Sequence, residues 1–418
     1  MAGVGAVKPP RPIAKAKAKM RETVDVLVSG GGVAGLAAAA AFGAAGFGVI
    51  CVEPDPPVTE AAAEAADLRT TAILQPGMAL LQAAGVWDRL SPHAAALQVM
   101  RIIDAGGAGP EPRRIKDFDA ADVSDMPFGW NLPNWLLRRE MVAHLACLPQ
   151  VSFRPGVGTA RLVTRAGEAL VTLSDGTVVS ARLLVAADGR ASPIRQSLGI
   201  GVQTWRYGQK ALSFAVTHPV PHGQVSTEIH RSGGPFTLVP LPDLDGMPAS
   251  SVVWMERGPE ALRLATLPPE AFAAEASARS CHILGPLALR SRRQVWPIIS
   301  QLADRMAGER VALMAEAAHV MPPIGAQGLN TSLADLAVLL DLATGDRAGL
   351  GSTAMLDIYH RRRHPDVRLR VTGIDLLNRA AMAGAAPLRD LRGMALEALY
   401  GVPQVRRGVM RLGLGLRQ

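Results

Sequence analysis

The sequence predicts an α/β protein in which a Rossmann-like dinucleotide-binding domain is interleaved with an antiparallel β-sheet domain and followed by a helical C-terminal tail. Three observations support this fold class. A glycine-rich turn joins apolar segments in residues 24–53, short alternating segments lie between residues 171 and 255, and a strand over residues 310–315 then leads through a turn into a helix at about residues 331–342. Because nucleotide-type segments precede and follow the alternating ones, we expect the first domain to be discontinuous.

The order of these segments predicts four regions. They are a basic flexible arm, residues 1–22; the dinucleotide-binding domain, residues 23–100, 140–205 and 300–345; a substrate domain, residues 101–139 and 206–299; and a helical, basic C-terminal region, residues 346–418.

The composition is that of a folded globular protein. Hydrophobic residues make up 49% and charged residues 19% of the 418 residues, which excludes a largely disordered chain. A chain of this length usually forms more than one domain. The three cysteines, Cys51, Cys147 and Cys281, lie far apart in no disulfide or metal-ligand spacing. We therefore expect no metal site and a reducing compartment.

Positive charge is concentrated towards the ends of the chain. The formal net charge is +8, and residues 359–418 hold twelve arginines against four acidic residues, an excess of eight. Such ends can contact anionic lipid, an acidic protein or nucleic acid. Aromatic residues are only 4% of the chain and no stacking or groove-reading motif is present, so we expect no nucleic acid partner. Residues 26–52 lack charge, but their Ala and Gly content indicates a buried nucleotide-binding unit rather than a membrane span.

The glycine-rich turn predicts a dinucleotide site. Gly30, Gly32 and Gly35 match the G-x-G-x-x-G pattern between a strand and a helix. The first glycine allows the tight turn, the second lets the backbone approach a pyrophosphate, and the third lets the helix pack on the strand. The phosphates then lie at the helix N-terminus, where free N–H groups favour an anion. Glu53 ends the second strand, where it can bind a ribose and disfavours a 2′-phosphate.

Four further segments carry a resemblance to a known family. They are DLRTTA at residues 67–72, LRREM at residues 137–141, LVAADGRASPIR at residues 184–195, and VALMAEAAH at residues 311–319, which continues into PPIGAQGLN at residues 322–330. Through them the chain resembles the FAD-dependent aromatic hydroxylases typified by p-hydroxybenzoate hydroxylase. It is more closely similar to the UbiH-type hydroxylases of ubiquinone biosynthesis. The likeness covers nearly the whole chain.

The resemblance implies that the dinucleotide is FAD and assigns further residues to it. Beside the glycine motif and Glu53, the residues implied to bind FAD are Arg69, Arg138, Asp188, Gly189, Glu316, Pro323, Gln327, Gly328, Leu329 and Asn330. Arg139 is an alternative to Arg138. Glu316 stands where the family usually has aspartate, and Ala315 and Ala326 also depart from the usual pattern. We expect FAD binding to be retained and the placement of the flavin ring to differ in detail.

The resemblance also implies a reaction. The protein would be an FAD-dependent monooxygenase that hydroxylates the aromatic ring of a polyprenylated phenol in ubiquinone biosynthesis, through a flavin C4a-hydroperoxide. NAD(P)H or a ferredoxin would supply electrons, and dioxygen would be the co-substrate. The sequence identifies no catalytic residue, and His319 is interpreted as mainly structural. Two alternatives remain: an FAD hydroxylase of a soluble aromatic compound, and a flavin-binding, non-catalytic subunit of a biosynthetic complex.

Partners and location follow from the same resemblance and from the basic ends. The expected partners are a lipid-like prenylated phenol, a membrane surface and other ubiquinone-biosynthesis proteins. We expect a cytoplasmic protein that attaches peripherally to the inner membrane.

Overall fold

A computed structural model describes residues 21–106, 111–231, 233–382 and 386–415. Most of the predicted basic arm, residues 1–20, lies outside the described residues. Arg21 and Glu22, which the sequence placed in that arm, are the first two residues of strand β1.

The strands are β1 (Arg21–Ser29), β2 (Val49–Glu53), β3 (Thr70–Leu74), β4 (Ala95–Leu97), β5 (Val99–Asp104), β6 (Arg114–Asp119), β7 (Gly129–Pro133), β8 (Val151–Pro155), β9 (Thr159–Arg165), β10 (Glu168–Leu173), β11 (Val178–Ala186), β12 (Val202–Thr217), β13 (Val225–His230), β14 (Pro235–Leu244), β15 (Met247–Arg257), β16 (Ala288–Leu289), β17 (Gln294–Ala303), β18 (Ala307–Gly308), β19 (Val311–Leu313) and β20 (His319–Val320).

The helices are α1 (Val33–Ala44), α2 (Gln75–Ala83), α3 (Trp87–Leu90), α4 (Asn134–Leu145), α5 (Pro193–Ser197), α6 (Gly258–Thr266), α7 (Pro269–Arg279), α8 (Gln327–Gly345), α9 (Thr353–Met382), α10 (Ala386–Gly401) and α11 (Pro403–Leu414). Short 3₁₀ turns occupy Ser91–His93, Ala120–Asp122 and Ala315–Ala317.

An eight-stranded sheet carries the nucleotide-type motifs. Its strand order is β18-β19-β11-β1-β2-β8, with β10 on β11 and β9 on β10. The strands β19, β11, β1, β2 and β8 are parallel, and the second half of β1, residues 26–29, is buried because both of its faces are covered. The small residues of α1 let it approach closely, since a Cβ built on Gly43 would lie 2.4 Å from Val151 Cγ2. The carboxyl ends of β1, β2 and β11 therefore meet at one edge beside the N-terminus of α1.

A nine-stranded sheet fills the middle of the chain, in the order β20-β17-β12-β15-β14-β13-β5-β6 with β16 on β12. All of its pairs are antiparallel except β5 with β13. One face packs on α6 and α7 through a buried aromatic group that includes Phe214, Trp254 and Phe272. The other face of the nine-stranded sheet points towards the eight-stranded sheet.

A small three-stranded sheet, β3-β7-β4, lies between the two large ones. Asn131 on β7 donates to Pro240 O at 2.9 Å, and Thr70 on β3 bonds to Ser251 on β15 at 2.7 Å. These bonds hold β3 and β7 against the free face of the nine-stranded sheet. The predicted boundary at residues 139 and 140 falls inside α4. The predicted α/β class, with a parallel nucleotide-type sheet and a mainly antiparallel second sheet, is confirmed.

The C-terminal helices close the structure on one side. α9 packs on α8 and on β17. α10 is held to the start of β6 by two ion pairs, which join Arg113, the residue before β6, to Asp390 and Arg114 to Glu397. In the described ranges, none of the helices combines the length and the apolarity that a membrane crossing needs.

Candidate functional site

The β1–α1 turn has the shape that a bound pyrophosphate requires. Gly30 has a φ of 115°, and a Cβ built on it would lie 2.2 Å from Ala187 O. A Cβ on Gly35 would lie 1.9 Å from Gly30 O, whereas a Cβ on Gly32 would meet nothing within 4 Å. Gly32 is also the N-cap of α1, which has no side-chain cap. The first amides of α1 therefore face open space and are available to an anion.

Glu53 lies directly beside this turn. Its carboxylate accepts hydrogen bonds from the Gly31 N–H and, at 3.1 Å, from the Asp55 N–H. A carboxylate oxygen can accept more than one hydrogen bond. Glu53 can therefore both hold the turn and bind a ribose hydroxyl.

The Asp188 loop meets the same edge from β11. Asp188 accepts hydrogen bonds from the Ser192 hydroxyl at 2.6 Å and from the Ile194 N–H at 3.1 Å. Burial raises the pKa of Asp188 above its ordinary value. Gly189 follows with a φ of 85°, a backbone conformation that suits glycine. The loop is thus fixed next to Gly30.

Arg195 joins this loop to the segment that holds Glu316. Arg195 is buried, with 3% of its surface exposed. Its guanidinium donates to Ala317 O at 2.8 Å and to Arg190 O at 3.0 Å. Glu316 itself is exposed and lies in the 3₁₀ turn that follows β19. Two segments that are far apart in the sequence therefore meet at one site.

Asp67 organises the arginines that were assigned to FAD. Arg69 forms a bidentate pair with it, at 2.7 and 2.6 Å, and Arg138 lies 3.5 Å away. Burial alone would raise the pKa of Asp67, but hydrogen bonds from Arg69 and Asn134 and the charge of Arg138 lower it. The hydrogen bonds to Asp67 and the nearby charge of Glu316 raise the pKa of Arg69. The structure thus brings Arg69, Arg138 and Glu316 into one neighbourhood.

Arg138 is incompletely satisfied. Its Nε is buried without a hydrogen-bond partner among the described residues. A buried donor without a partner is costly unless a ligand supplies an acceptor. Arg138, rather than the Arg139 that pairs with Glu140 at 2.8 Å, therefore fits a contact with an anionic cofactor. The sequence had not singled out Asp67 as a positioning residue, although it is the first letter of the DLRTTA segment.

The turn before α8 is held by its own polar residues. Asn330 donates to Ala72 O and to Ala326 O, both at 2.7 Å, and accepts from the Leu74 N–H at 2.9 Å. Gln327 donates to Gly413 O at 3.0 Å, which ties the turn to α11. Leu329 packs against the main core, while Pro323 and Gly328 are exposed at the surface of the turn. The exposed backbone of the turn is free to face a flavin.

The two alanines that depart from the family pattern are both in a left-handed conformation. Ala315 has a φ of 53° and Ala326 a φ of 55°. A Cβ is strained there, whereas glycine is not. We expect Ala315→Gly and Ala326→Gly each to raise the free energy of unfolding by about 0.5 to 1 kcal/mol. Ala317→Gly, at a buried neighbour without positive φ, should lower it. Thermal unfolding of the FAD-free protein measures all three, and a loss of stability in the first two variants would contradict the prediction.

An apolar cluster lies between the nine-stranded sheet, the turn before α8 and α9. Its buried members are Ala211, Met255, Ile298, Ile324 and Ile374, and Tyr207, Val253, Trp296 and Met321 pack against them. Trp296 lies under the Arg69 guanidinium, 5.3 Å from its ring centre. The cluster therefore adjoins the candidate FAD site.

Tyr207 supplies the polar group of this cluster. Its hydroxyl donates to Asp375 Oδ1 at 2.7 Å and bonds to Ser300 at 2.6 Å. Burial, with the charge of Asp375, raises the pKa of Tyr207 to about 12. The sequence did not predict this group, because Tyr207 and Asp375 are 168 positions apart and no local motif links them.

His319 belongs to a buried charge network. Its Nε2 lies 2.6 Å from Asp335 Oδ2, and the Arg363 Nε donates to the other oxygen of Asp335 at 2.7 Å. The three side chains are at most 3% exposed. This geometry agrees with a structural role for His319 rather than a general base.

These residues fit FAD on geometry alone. A Cβ at Gly30 or Gly35 would collide with the backbone. In the part of the chain that the structure describes, no side chain caps the α1 amides, and the buried Nε of Arg138 has no partner. The open position at Gly32 leaves room for the pyrophosphate.

The similarities to known proteins agree with this fit. The chain matches the family described as "FAD binding domain" over residues 23–372. It is 32% identical to ubiquinone hydroxylase UbiL of Rhodospirillum rubrum, over 99% of this chain and 94% of that protein. It is 27% identical to 3-demethoxyubiquinol 3-hydroxylase of Escherichia coli, over 94% of this chain and 99% of that protein.

Solved structures show the same fold. The crystal structure of p-nitrophenol 4-monooxygenase PnpA from Pseudomonas putida superposes with a TM-score of 0.76 at 20% identity, covering 95% of this chain and all of that one. Together these similarities confirm FAD as the cofactor and the predicted enzyme class, an FAD-dependent monooxygenase. The chain belongs to the FAD binding domain family.

Proposed function

We propose that this protein hydroxylates the aromatic ring of a polyprenylated phenol in ubiquinone biosynthesis. The observation that carries the substrate class is the apolar cluster around Met255, Ile298 and Ile324, which offers hydrophobic contacts beside the FAD site. The relatives named ubiquinone hydroxylase UbiL and 3-demethoxyubiquinol 3-hydroxylase support the same pathway, since they align over nearly their full lengths.

The chain's own residues prepare the site for this reaction. We assign the pyrophosphate to the turn of Gly30, Gly32 and Gly35, the adenosine ribose to Glu53, and the anionic groups of FAD to Arg69 and Arg138. Asp188 with Gly189, Glu316, and the turn and helix start formed by Pro323, Gln327, Gly328, Leu329 and Asn330 complete the site. FAD, when bound, supplies the redox and oxygen chemistry, and the apolar cluster excludes water from it.

Tyr207 is the residue that we propose to bind the substrate hydroxyl. With its pKa raised to about 12, it is neutral at pH 7 and donates to Asp375. Its oxygen can then accept a hydrogen bond from a phenol. This hydrogen bond orients the phenol and draws electron density onto its oxygen, which makes the ring more electron-rich. Burial alone would raise the pKa of Asp375, but hydrogen bonds from Arg379 and Tyr207 lower it, so Asp375 stays ionised and holds the Tyr207 hydroxyl in place.

The variant Tyr207→Phe tests this assignment. We expect kcat for hydroxylation of a short-chain prenylphenol to fall about 100-fold, with FAD affinity unchanged because Tyr207 is not among the FAD-binding residues. Asp375→Asn should also lower kcat and shift its pH profile. Tyr400→Phe is the control, because Tyr400 packs on Phe118 at the distant α10 contact. Full turnover by Tyr207→Phe would show that Tyr207 does not bind the substrate hydroxyl.

Deletion of the gene in the native host, followed by mass analysis of quinone intermediates, tests the function. We expect a prenylated phenol that lacks one ring oxygen to accumulate, and complementation to remove it. Unchanged quinones, with dioxygen consumption by the purified protein on a soluble phenol, would favour the first alternative. Altered quinones with no dioxygen consumption would favour a non-catalytic subunit. Anaerobic reduction of the bound FAD by NADH, NADPH or a reduced ferredoxin identifies the electron donor.

A further inference from the structure

Helix α11 and its N-cap present an exposed apolar stripe to solvent. The α11 stripe consists of Val402, Val405, Val409 and Leu412, which are 46%, 48%, 43% and 63% exposed. Their spacing of three and four residues places them on one side of the helix. On the other side Met410 and Leu414 are buried. The helix therefore has two apolar sides. One packs on the protein, and the other is exposed to solvent.

Helix α9 adds exposed leucines near the end of α11. Leu369, Leu376 and Leu377 are 64%, 62% and 57% exposed. Gln327 bridges the two helices, because it donates to Gly413 O at 3.0 Å and accepts from Arg370 at 2.7 Å. The C-terminal end of α11 thus lies near the middle of α9.

Free positive charge accompanies these apolar residues. Arg407 and Arg411 on α11 and Arg368 on α9 are exposed, and none has an ion-pair partner in the described part of the chain. An isologous contact between two copies would bring like-charged arginines of the same surface together, which is unfavourable. Apolar side chains flanked by arginines instead match a bilayer that contains anionic lipid.

Helix α9 also reaches the apolar cluster of the site. Ile374 of α9 is a buried member of that cluster, while Leu376 and Leu377 are outside. Gln327, which α11 holds, is the first residue of α8. A surface that docks through α9 and α11 is therefore only two residues of α9 from a side chain of the apolar cluster.

We infer that the α11 stripe, the exposed leucines of α9 and the neighbouring arginines form a docking surface for an anionic phospholipid bilayer, from which the substrate is taken. The inference rests on the proposed function for its substrate, but the docking itself is measurable without turnover.

Vesicle flotation with the full-length, FAD-loaded protein tests the surface. We expect the protein to float with phosphatidylcholine vesicles that contain phosphatidylglycerol, and more weakly with phosphatidylcholine alone. The double variant Val405→Asp/Val409→Asp should weaken the partition at least about tenfold. Arg407→Gln/Arg411→Gln should reduce the preference for phosphatidylglycerol by about fivefold per cation.

A matched control places the same charges elsewhere. Val220→Asp/Leu262→Asp changes two residues that are 45% and 51% exposed and should float like the wild type.

Val405→Asp/Val409→Asp should keep its flavin absorbance and its turnover of a soluble short-chain phenol. Equal flotation of this variant and the wild type would overturn the inference. The inference would also be overturned if the wild type did not bind vesicles but formed a dimer that the variant converted to a monomer. Vesicle binding in a protein whose deletion leaves quinones unchanged would refute the proposed function and retain the docking surface.

Discussion

The variant Gly32→Val is expected to lose FAD while keeping the fold of the FAD-free protein. A Cβ at Gly32 meets nothing within 4 Å, and the residue has a φ of −67° and a ψ of 172°. Valine adopts this extended backbone readily. The only cost is in the space that the pyrophosphate needs, so we expect the dissociation constant for FAD to rise at least about 100-fold. Fluorescence titration with FAD measures the affinity, and thermal unfolding without FAD measures the stability.

Gly35→Val is the matched comparison on the same motif. Its Cβ would lie 1.9 Å from Gly30 O, so the backbone itself must move. We expect this variant to lower the stability of the FAD-free protein as well as its affinity for FAD. Wild-type affinity in Gly32→Val would show that the cofactor does not approach this glycine. A large loss of stability in the same variant would show that Gly32 is packed rather than open.

Local pattern predicted the first unit of the fold closely. β1, α1 and β2 form within residues 21–53, because each element has its own periodicity and the glycine turn separates them. The same holds for the Asp188 loop, whose Asp, Gly and Ser bond among themselves. The structure of such segments depends on contacts between residues that are close in the sequence. It can therefore be predicted from local sequence patterns.

Segment ends were predicted less well where tertiary contacts decide them. α8 was expected from residue 331 but begins at Gln327, because Asn330 and Gln327 fasten the preceding turn to β3 and α11. The strand expected over residues 310–315 ends at Leu313, since Ala315 turns into a left-handed conformation. The local hydrophobic pattern shows neither the hydrogen bonds of Asn330 and Gln327 nor the positive φ of Ala315.

The site residues divide in the same way, into those that local motifs predict and those that only tertiary contacts bring together. The glycines, Glu53, Asp188 and Glu316 are found by motif, but the partners of Arg138 and Tyr207 are not. Asp67 meets Arg138 across 71 positions, and Tyr207 meets Asp375 only because β12 and α9 pack together. Strand pairing and helix packing at such separations depend on the whole chain. The parallel pairing of β5 with β13 was missed for the same reason.

The variant Asp335→Ala is expected to give the largest loss of stability. Asp335 is fully buried between His319 and Arg363, whose side chains are 1% and 3% exposed. Removing the carboxylate leaves the Arg363 guanidinium buried, and among the described residues its remaining ionic partner is the partly exposed Asp366, at 2.6 Å. Loss of one member of a buried pair costs roughly 3 to 5 kcal/mol. Denaturant unfolding of the FAD-free protein measures this change.

Asp341→Ala is the control, because Asp341 lies on the same helix and pairs with Arg362, the neighbour of Arg363. That pair is exposed, at 72% and 50% of the two side chains, with a distance of 3.1 Å. Exposed pairs contribute about 0 to 1 kcal/mol, so this variant should unfold almost like the wild type. Equal losses in the two variants would show that helix α8, rather than the buried network, determines the effect. A small loss in Asp335→Ala alone would mean that water reaches Arg363 and that His319 is available for chemistry after all.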